Sequence, residues 1–189
     1  GRMTSSTRAY GTANSFTVTY RYDEAGNRTA EIDPRGESYE TAYEYDGLNR
    51  ARKITWAPGV PLETSEVRYD YDKAGNCTRY VDPLGNATTY AYDGVGNLVS
   101  EVGPTGLVTL YQRDAYGNVV TEIDGWGGQT DNEYDKLDRL TSSTAHVGGD
   151  TFTSSIQYFD SPSRSLLTDA LGNVTETWFD GADRLVRQK

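Results

Sequence analysis

The sequence contains almost no cysteine, histidine or methionine. One cysteine (Cys77), one histidine (His146) and one methionine occur in 189 residues. A lone cysteine cannot form a disulfide within the chain. A lone histidine excludes a metal site built from several histidines and leaves a single candidate base for a Ser-His-Asp triad. We therefore expect a non-enzymatic protein with no catalytic residue, no metal ligand and no cofactor.

Long apolar runs and helical periodicity are also missing. No segment approaches the ~20 apolar residues of a membrane-spanning helix, and no window keeps apolar residues at a helical spacing. Hydrophobic residues make up 35% of the chain, and the mean hydropathy is -0.70. These values are low for a globular domain of this length. We expect no single deep hydrophobic core.

Positive charge is scarce as well. Lysine and arginine number 18 against 28 acidic residues, which gives a net charge of -10. Nucleic-acid binding needs clustered lysine and arginine, so nucleic acid is not an expected partner. The many aspartates leave calcium binding as an alternative to a purely structural role. Neither of the two known calcium-loop patterns, the EF-hand and the Gly-Gly-x-Gly-x-Asp repeat, is present, and aspartates that cap turns need no metal.

The chain does contain a repeated Tyr-Asp pair followed by a turn. Tyr71-Asp72-Lys73-Ala74-Gly75-Asn76 is a clear copy, and successive aspartates lie 20 to 26 residues apart. Degenerate copies occur at Arg113-Asp114 and Phe159-Asp160. A fixed period of this size indicates a repeat architecture. The predicted structural anchors are Tyr22, Asp23, Gly26, Tyr45, Asp46, Tyr71, Asp72, Gly75, Tyr92, Asp93, Gly96, Asp114, Gly117, Tyr134, Asp135, Phe179 and Asp180.

A second turn signal follows half a period later. Asp33-Pro34-Arg35-Gly36, Asp82-Pro83-Leu84-Gly85 and Gly103-Pro104-Thr105-Gly106 each lie ten residues after a Tyr-Asp aspartate. Both signals favour type I turns, in which Asp caps the backbone, Pro presets φ and Gly accepts the left-handed conformation. We call the first set the Tyr-Asp turns and the second set the half-period turns.

The segments between turns have the composition of strands. Thr88-Thr89-Tyr90-Ala91-Tyr92 and Leu98-Val99-Ser100-Glu101-Val102 are short and rich in β-branched and aromatic residues. Such short connections force neighbouring strands to be antiparallel. The predicted fold class is all-β, an antiparallel meander of about 17 strands. A sheet that long twists, so we expect it to coil as a curved sheet or β-solenoid.

Paired tyrosines two residues apart project from one side of a strand. The pairs are Tyr20 and Tyr22, Tyr43 and Tyr45, Tyr69 and Tyr71, and Tyr90 and Tyr92. Repeated along the sheet, they predict aromatic rows that pack the repeats together. The alternative is a platform on which sugar rings stack.

The two turn signals together resemble the YD repeats of the Rhs family. That repeat also occurs in wall-associated proteins of Gram-positive bacteria, in shells of insecticidal toxin complexes and in animal teneurins. The resemblance covers residues 15–189. It implies a β-ribbon that spirals into a hollow shell, which commonly encloses a C-terminal toxin domain. Family repeats more often carry Gly-Arg where this chain has Gly-Asn, as at Gly75-Asn76.

The resemblance sets the expected organisation and function. We interpret residues 1–14 as an expression leader with a first partial strand, and 15–189 as about eight repeats cut from a larger protein. The expected function is a non-catalytic wall segment of a secreted or cell-surface shell. Its expected partners are the parent's remaining repeats and its C-terminal domain, with glycans as an alternative partner. No segment resembles the core at which some Rhs shells release their toxin.

A few residues depart from the repeat. The segments 57–66 and 141–155 replace expected turns, and we predict a longer hairpin at each without a domain boundary. His146 is expected in an exposed Gly-rich loop, and Cys77 is expected to be a packing residue. Because a cut sheet leaves an open edge, self-association is expected near residues 5–20, where Thr17-Val18-Thr19-Tyr20 carries no charge.

Overall fold

The computed structural model describes residues 2, 4–10, 14–59, 65–160, 163–182 and 184–189. These residues form antiparallel strands and a short 3-10 helix at Glu37–Tyr39. The chain divides into two compact units, residues 1–90 and 91–189. Within each unit consecutive strands pair in sequence order, so the predicted all-β antiparallel meander is confirmed.

The first unit is a meander of eight strands among the described residues. The last of them, β8, ends two residues beyond the boundary of the unit. The strands are β1 (Ser5–Tyr10), β2 (Asn14–Tyr22), β3 (Arg28–Ile32), β4 (Glu40–Tyr45), β5 (Ala51–Trp56), β6 (Ser65–Tyr71), β7 (Cys77–Val81) and β8 (Ala87–Tyr92).

The second unit continues the same pattern of strand and turn. Its strands are β9 (Leu98–Val102), β10 (Val108–Arg113), β11 (Val119–Ile123), β12 (Gln129–Tyr134), β13 (Leu140–Val147), β14 (Asp150–Asp160), β15 (Ser163–Thr168), β16 (Val174–Phe179) and β17 (Leu185–Gln188).

The predicted turns lie where the sequence places them. In the turn at Asp72, the N–H of Gly75 donates to the carbonyl of Asp72 at 3.3 Å, and the N–H of Asp72 donates to the carbonyl of Asn76 at 3.0 Å. The half-period turn at Asp82 has the same two bonds, at 3.0 and 2.9 Å. This pattern is a type I turn followed by a left-handed residue, which closes a three-residue hairpin loop.

The left-handed position explains which residues occupy the fourth place of a turn. Gly75 has φ 102° and Gly96 has φ 93°. Where glycine is missing, Asn49 and Asp138 take its place with φ 61° and 58°. Asn and Asp tolerate this conformation better than other residues with a side chain, so the weaker copies of the motif keep the same backbone.

The strands at the Tyr-Asp end carry a bulge that the sequence did not reveal. Tyr71 pairs with Cys77, whereas Asp70 pairs with Arg79, so Thr78 is an extra residue on β7. The Thr78 hydroxyl donates to the carbonyl of Asp70 at 3.3 Å. The same one-residue shift precedes Tyr22, Tyr45, Arg113, Tyr134 and Phe179. Bulges of this kind bend a strand and increase its twist.

Register gives the first unit two chemically different faces. Tyr69 and Tyr80 are cross-strand partners, and their ring centroids lie 5.4 Å apart. With the other paired tyrosines of β2, β4 and β6 they form an aromatic face, as their spacing predicts. The opposite face carries ion pairs, such as those of Lys53 with Glu66 at 3.1 Å and with Glu44 at 3.4 Å.

Little of the described chain is buried. The fully buried hydrophobic residues are Ala30, which is 4% exposed, and Val67, which is 5% exposed. Ala30 lies on the charged face and Val67 on the aromatic face. Each strand therefore buries its side chains mainly against its neighbours, as expected for a repeat sheet without a deep core. Among the described residues, no helix is long and apolar enough to cross a membrane.

The two irregular segments have different outcomes. Of the segment 57–66, residues 60–64 lie outside the described residues. The segment 141–155 forms a long hairpin of β13 and β14 around Gly148-Gly149, whose φ values are 61° and 94°. The expected loop position of His146 is wrong, because the turn occupies only two residues and His146 pairs with Thr151 inside β13.

Candidate functional site: the Tyr-Asp turns

Each Tyr-Asp turn is closed by a side chain four residues after the aspartate. In the turn at Asp72, the backbone N–H of Asn76 donates to Oδ1 at 2.9 Å and its side-chain amide donates to Oδ2 at 2.9 Å. One residue thus occupies both carboxylate oxygens. The same pair of bonds joins Asp23 to Asn27 and Asp114 to Asn118.

Arginine performs this role in the copies that lack glycine at the fourth position of the turn. Arg50 donates its backbone N–H to Oδ1 of Asp46 at 3.0 Å and its Nε to Oδ2 at 2.7 Å. Arg139 holds Asp135 in the same way, at 3.1 and 2.7 Å. Asparagine and arginine at this position are therefore alternative clamps on one carboxylate, which accounts for the mixture of Gly-Asn and Asn-Arg or Asp-Arg endings.

The clamp favours the charged carboxylate. The side-chain hydrogen bond from Asn76, opposed by partial desolvation and helped by backbone N–H donors, lowers the pKa of Asp72 below its ordinary value. The Arg50 side chain lowers the pKa of Asp46 in the same way. At Asp93 the backbone N–H of Asn97 is the largest cause of the lowered pKa. These turns are consequently tightest when the aspartates are ionised.

The tyrosine hydroxyl compensates for strands that separate at this end. Paired residues of β3 and β4 stop at Ala30 and Ala42, so the carbonyl of Arg28 lies past the last pair. The hydroxyl of Tyr45 donates to that carbonyl at 2.8 Å. A long side chain with a terminal donor thus replaces a backbone hydrogen bond that the separating strands no longer make.

The same bond recurs along both units. Tyr71 donates to the carbonyl of Ala51 at 2.8 Å, and Tyr134 donates to that of Val119 at 3.0 Å. In the copy that has Arg113 instead of tyrosine, its Nε donates to the carbonyl of Leu98 at 3.2 Å. The carbonyl acceptor is always the fifth residue after the aspartate of the preceding turn.

The degenerate copy at Phe159-Asp160 differs from the interpretation drawn from its sequence. Tyr158, not Phe159, makes the bond that recurs in the other copies, to the carbonyl of Leu140 at 3.0 Å. Asp160 lies at the end of β14 and pairs with Ser163, so it does not begin a turn of the Tyr-Asp type. Asp160 follows the spacing of the other Tyr-Asp aspartates. Because the β13–β14 hairpin is longer than the others, however, the tyrosine that makes the bond lies two residues before the aspartate instead of one.

Successive Tyr-Asp turns are also joined sideways. In the first unit, the amide of Asn27 donates to Oδ1 of Asn49 at 2.8 Å, and Arg50 donates to the carbonyl of Asp72 at 3.0 Å. In the second unit, Asn118 donates to Oδ1 of Asp138 at 2.9 Å. These contacts form what we call the turn ladder, in which the clamp of one turn bonds to the next turn.

Arginines cover several rings of the tyrosine rows. The guanidinium of Arg28 lies 5.6 Å from the ring centroid of Tyr20 and 5.0 Å from that of Tyr43. Arg50 lies 4.6 Å from the ring of Tyr71. Such stacking stabilises a cation over an aromatic face. The arrangement fits the interpretation of the rows as packing between repeats.

The turn tips present exposed apolar side chains. The third residue of many turns is large and apolar, and it contributes almost nothing to the packing of its own hairpin. These residues, with their exposed fractions, are Leu48 (67%), Leu84 (86%), Val95 (85%), Tyr116 (83%), Trp126 (84%), Leu137 (68%) and Leu171 (85%). Sequence reasoning missed them, because each is a single apolar residue inside a polar turn.

The remaining anchor positions lie in equivalent places. Asp93 and Asp180 begin turns, since their N–H groups donate to the carbonyls of Asn97 and Arg184 at 2.9 Å. Gly26, Gly96 and Gly117 have φ values of 95°, 93° and 94°. Tyr22, Tyr92 and Phe179 end strands β2, β8 and β16, immediately before an aspartate. Asp183, in the last copy, lies outside the described residues.

The candidate reactive residues do not come together. The thiol of Cys77 is half-buried and contacts the carbonyl of Arg79 at 3.4 Å, and burial raises its pKa. His146 Nε2 lies 2.9 Å from Oδ2 of Asp131, whose other contacts are Thr121 and Gln129. In the described part of the chain, no three His, Cys, Asp or Glu side chains are grouped to hold a metal ion.

A sequence model of the RHS Repeat family matches this chain in three segments. The matched residues are 1–38, 71–107 and 92–130. The matches include the Tyr-Asp turns that begin at Asp23, Asp72, Asp93 and Asp114. No curated protein matches the chain.

Solved toxin-complex structures share the fold. TcdB2-TccC3 without its hypervariable C-terminal region matches with a TM-score of 0.68 and 16% identity, over 92% of this chain and 10% of that chain. The Photorhabdus luminescens Tc holotoxin pore matches with 0.65 and 17%, over 91% and 10%. TcdB2-TccC3 matches with 0.56 and 16%, over 97% and 13%. The chain thus spans about a tenth of the length of these proteins.

Proposed function

Because the chain belongs to the RHS-repeat family, we propose that it is a wall segment of a hollow β-shell in a larger protein. The shell encloses or displays a C-terminal domain of that protein, and the segment itself catalyses no reaction. The repeat array is proposed to occupy residues 15–189, with about eight copies, after a leader at 1–14. The anchors are proposed to act structurally, as the first and last residues of each turn.

The turn ladder is the observation that carries this proposal. Asn27, Arg50 and Asn118 each close their own turn and also bond to the next, as Arg50 does with Asp46 and Asp72. A catalytic or ligand-binding site would bring reactive or polar side chains together at one place. Here, by contrast, the same type of contact recurs from one Tyr-Asp turn to another. Repetition of a nearest-neighbour contact is how a repeat protein extends a surface.

The exposed turn tips support a wall that continues beyond this segment. Val95, Tyr116 and Leu137 occupy the same place in successive turns of the second unit and are 68–85% exposed. Neighbouring tips of this kind are separated by two strands, or about 10 Å. Exposed apolar rows mark contact surfaces. The parent's other repeats are the proposed partner.

Location and other partners follow from the same proposal. A shell that delivers or displays a domain acts outside the cell, so the parent protein is proposed to be secreted or on the cell surface. Nucleic acid is not a proposed partner, given the net charge of -10. The tyrosine rows give no specific support to glycan binding, because Arg28 and Arg50 lie over the rings of Tyr43 and Tyr71.

Protease protection tests the shell in the full-length parent protein. The C-terminal domain should resist proteolysis in the native protein and become sensitive when the wall is loosened by Asp46→Ala together with Asp72→Ala. Asp70→Ala, which removes an exposed ion pair with Arg79 but no clamp, is the matched control and should leave protection intact. Equal cleavage of the domain in the native protein and in the loosened variant would contradict enclosure.

A further inference from the structure

The face of the second unit that carries Asp131 and Glu133 contains a groove that the proposed wall function does not use. It lies between the ends of β12, β13 and β14 and has a volume of about 740 Å³. Small-molecule sites fall in the range of about 300–1,000 Å³. The residues that line it include Glu133, Ser142, Ser155, Gln157 and Phe159.

Strand register aligns the polar members of the groove. Glu133 pairs with Ser142, and Ser142 pairs with Ser155, so the three project side by side on one face. Gln157 and Phe159 follow Ser155 at two-residue steps on the same face of β14. The result is a row containing a carboxylate, two hydroxyls and an amide, with an aromatic ring at its end.

These polar groups differ from their neighbours in having no side-chain partner. On the same face, Asp131 accepts bonds from Thr121, Gln129 and His146. By contrast, within the described part of the chain, the side chains of Glu133, Ser142, Ser155 and Gln157 make no hydrogen bond to another side chain. Their donors and acceptors are available to a ligand.

The aromatic wall is held in place from behind. The guanidinium of Arg164 lies 4.4 Å from the ring centroid of Phe159, and Arg164 bonds to Glu176 at 2.5 Å. Arg164 is the cross-strand partner of Phe159 on β15, which lies on the side of β14 away from β13. Phe159 also lines the groove, so the stacked guanidinium restricts the ring before any ligand arrives.

We propose that this groove binds a neutral saccharide. Vicinal hydroxyls of a sugar both donate and accept, which suits the carboxylate of Glu133 together with the amide of Gln157 and the hydroxyls of Ser142 and Ser155. The apolar face of a sugar ring packs on the part of Phe159 that lines the groove. Asp135 and Arg139, also in the groove, pair with each other at 2.7 Å. Glu133 therefore leaves a net negative charge that disfavours anionic sugars.

The site goes beyond the proposed wall function and is independent of it. It uses the face opposite the tyrosine of β12, since Glu133 and Tyr134 are adjacent in the strand. An open groove that contacts one side of a ring gives weak binding, with a dissociation constant on the order of 1 mM for a single hexose.

Saturation-transfer NMR and calorimetry of the purified chain test the site. The neutral probes are methyl α-D-glucoside, maltotriose and N,N′-diacetylchitobiose, and the anionic probe is sialyllactose. At least one neutral probe should bind, and sialyllactose should bind about tenfold more weakly or not at all. Failure of all the neutral probes to bind, or preferential binding of sialyllactose, overturns the assignment.

Matched variants locate the binding. Gln157→Ala and Glu133→Gln should each weaken binding about fivefold, as expected for the loss of one hydrogen bond to a ligand. Gln112→Ala and Glu122→Gln make the same chemical changes at exposed positions outside the groove and should leave binding unchanged. Equal losses in the controls, or loss only in Tyr80→Ser on the aromatic face of the first unit, overturn the site. The wall proposal survives either result.

Discussion

The fourth residue of each Tyr-Asp turn decides whether the hairpin can close. Gly96 has φ 93°, a conformation that strains any residue with a β-branched side chain. Gly96→Val should therefore lower the free energy of unfolding by about 1–2 kcal/mol. Chemical denaturation monitored by circular dichroism measures the change.

A second glycine of the same turn provides the control. Gly94 is the second residue of the turn, and a Cβ added there meets open space. Gly94→Ala should leave the stability unchanged or raise it slightly, by reducing the entropy of the unfolded chain. A Gly96→Val protein as stable as the native chain would show that the left-handed turn is absent.

The tyrosine hydroxyl is the second residue-scale device. Tyr45 supplies a donor to the carbonyl of Arg28, which lies beyond the last paired residues of β3 and β4. Tyr45→Phe keeps the ring and removes that donor, so it should cost about 1 kcal/mol of unfolding free energy. Thermal and urea unfolding of the variant against the native chain test this value.

Tyr134 gives a matched comparison within the same chain. Its acceptor, the carbonyl of Val119, also receives the amide of Asn132 at 3.1 Å. Tyr134→Phe leaves that second donor in place and should cost less than half as much as Tyr45→Phe. If the two variants lose equal stability, or neither loses any, the hydroxyls do not substitute for missing backbone bonds.

The sequence predicts the left-handed glycine of the turn but not the hydrogen bond made by the tyrosine hydroxyl. Asp, a permissive residue and Gly at fixed spacing specify the turn at Gly96 by local conformational preference alone. The bond from Tyr45 to Arg28 depends on how far two strands separate, and local preference carries no information on that distance. The spacing of the tyrosines indicated only which side of the strand they occupy.

At the scale of the hairpin, the two ends of the repeat differ although their turn sequences are alike. Tyr-Asp turns are followed by a bulge, as at Thr78, whereas the pairing of β7 with β8 after the half-period turn at Asp82 runs through Arg79, Tyr80 and Val81 without a shift. Turn residues fix the loop, but the bulge lies in the strand beyond it. This is why composition and spacing located the turns and missed the bulges.

The turn ladder is the element-scale contact that can be measured directly. Asn27 donates its amide to Oδ1 of Asn49, a residue with φ 61°. Asn49→Gly removes the acceptor and still permits the left-handed backbone, and Asn27→Ala removes the donor. A double-mutant cycle on urea unfolding should give a coupling of about 0.5–1 kcal/mol between the two positions.

The control for that cycle keeps one ladder residue and changes a position of the neighbouring turn that takes no part in the ladder. Asn27→Ala combined with Gly47→Ala, an open position in the same turn as Asn49, should show additive losses. Additive losses in both cycles would mean that the hydrogen bond between Asn27 and Asn49 contributes no coupling energy. The turn ladder would then not stabilise the fold.

His146 shows where reading one residue at a time failed. The glycines after it favour an exposed loop. In the structure it lies in β13 and contacts Asp131, whose carboxyl also binds Thr121 and Gln129. A two-residue turn at Gly148-Gly149 extended both strands, and cross-strand partners are set by that register, which the local sequence does not specify.

At the scale of the whole molecule, the clamped aspartates link stability to pH. The pKa values of these carboxyls are lowered by hydrogen bonds in the folded chain, and the unfolded value is about 3.9. They stabilise the fold above that pH and stop doing so as the pH falls through the lowered values. The affected groups are Asp23, Asp46, Asp72, Asp93, Asp114, Asp135 and Asp180.

Between pH 7 and about pH 5, the change in net charge affects the stability of the fold in the opposite direction. The chain carries a net charge of -10 at pH 7 and has a sequence pI near 4.6, so self-repulsion decreases as the pH falls toward the pI. The melting temperature should therefore hold or rise between pH 7 and about pH 5, then fall steeply below about pH 4. A melting temperature that stays constant down to pH 3 would contradict clamping by ionised carboxylates.

Asp93→Asn separates the clamp from general acid sensitivity. Asparagine has no carboxyl to protonate and lacks the second acceptor oxygen for Asn97, so the variant should be less stable than the native chain at pH 7. The difference should shrink as the pH falls, because the native Asp93 then loses its charge. A difference that is constant with pH would assign the loss to shape and not to charge.

The N-terminal edge bears on whether the chain associates with itself. The expected edge segment Thr17–Tyr20 is covered, because β1 pairs with β2 along it and the N–H of Tyr20 donates to the carbonyl of Thr4 at 2.8 Å. Within the first unit β1 pairs with β2 alone among the described strands. Among the described strands of the first unit, the one open to further pairing is therefore β1 (Ser5–Tyr10), which lies within the expected residues 5–20 but outside the segment Thr17–Tyr20.

Strand geometry identifies which groups of β1 would pair. The bond from Tyr20 to Thr4 makes the even-numbered residues of β1 the hydrogen-bonded partners of β2, so the N–H of Thr7 points away from it. We expect light scattering to show concentration-dependent association of the native chain. Thr7→Pro should abolish it, because proline has no N–H to donate. Thr7→Ala loses the same hydroxyl bond to Thr17, at 2.9 Å, but keeps the N–H, and it should associate like the native chain. A native chain that stays strictly monomeric at high concentration rules out association through β1.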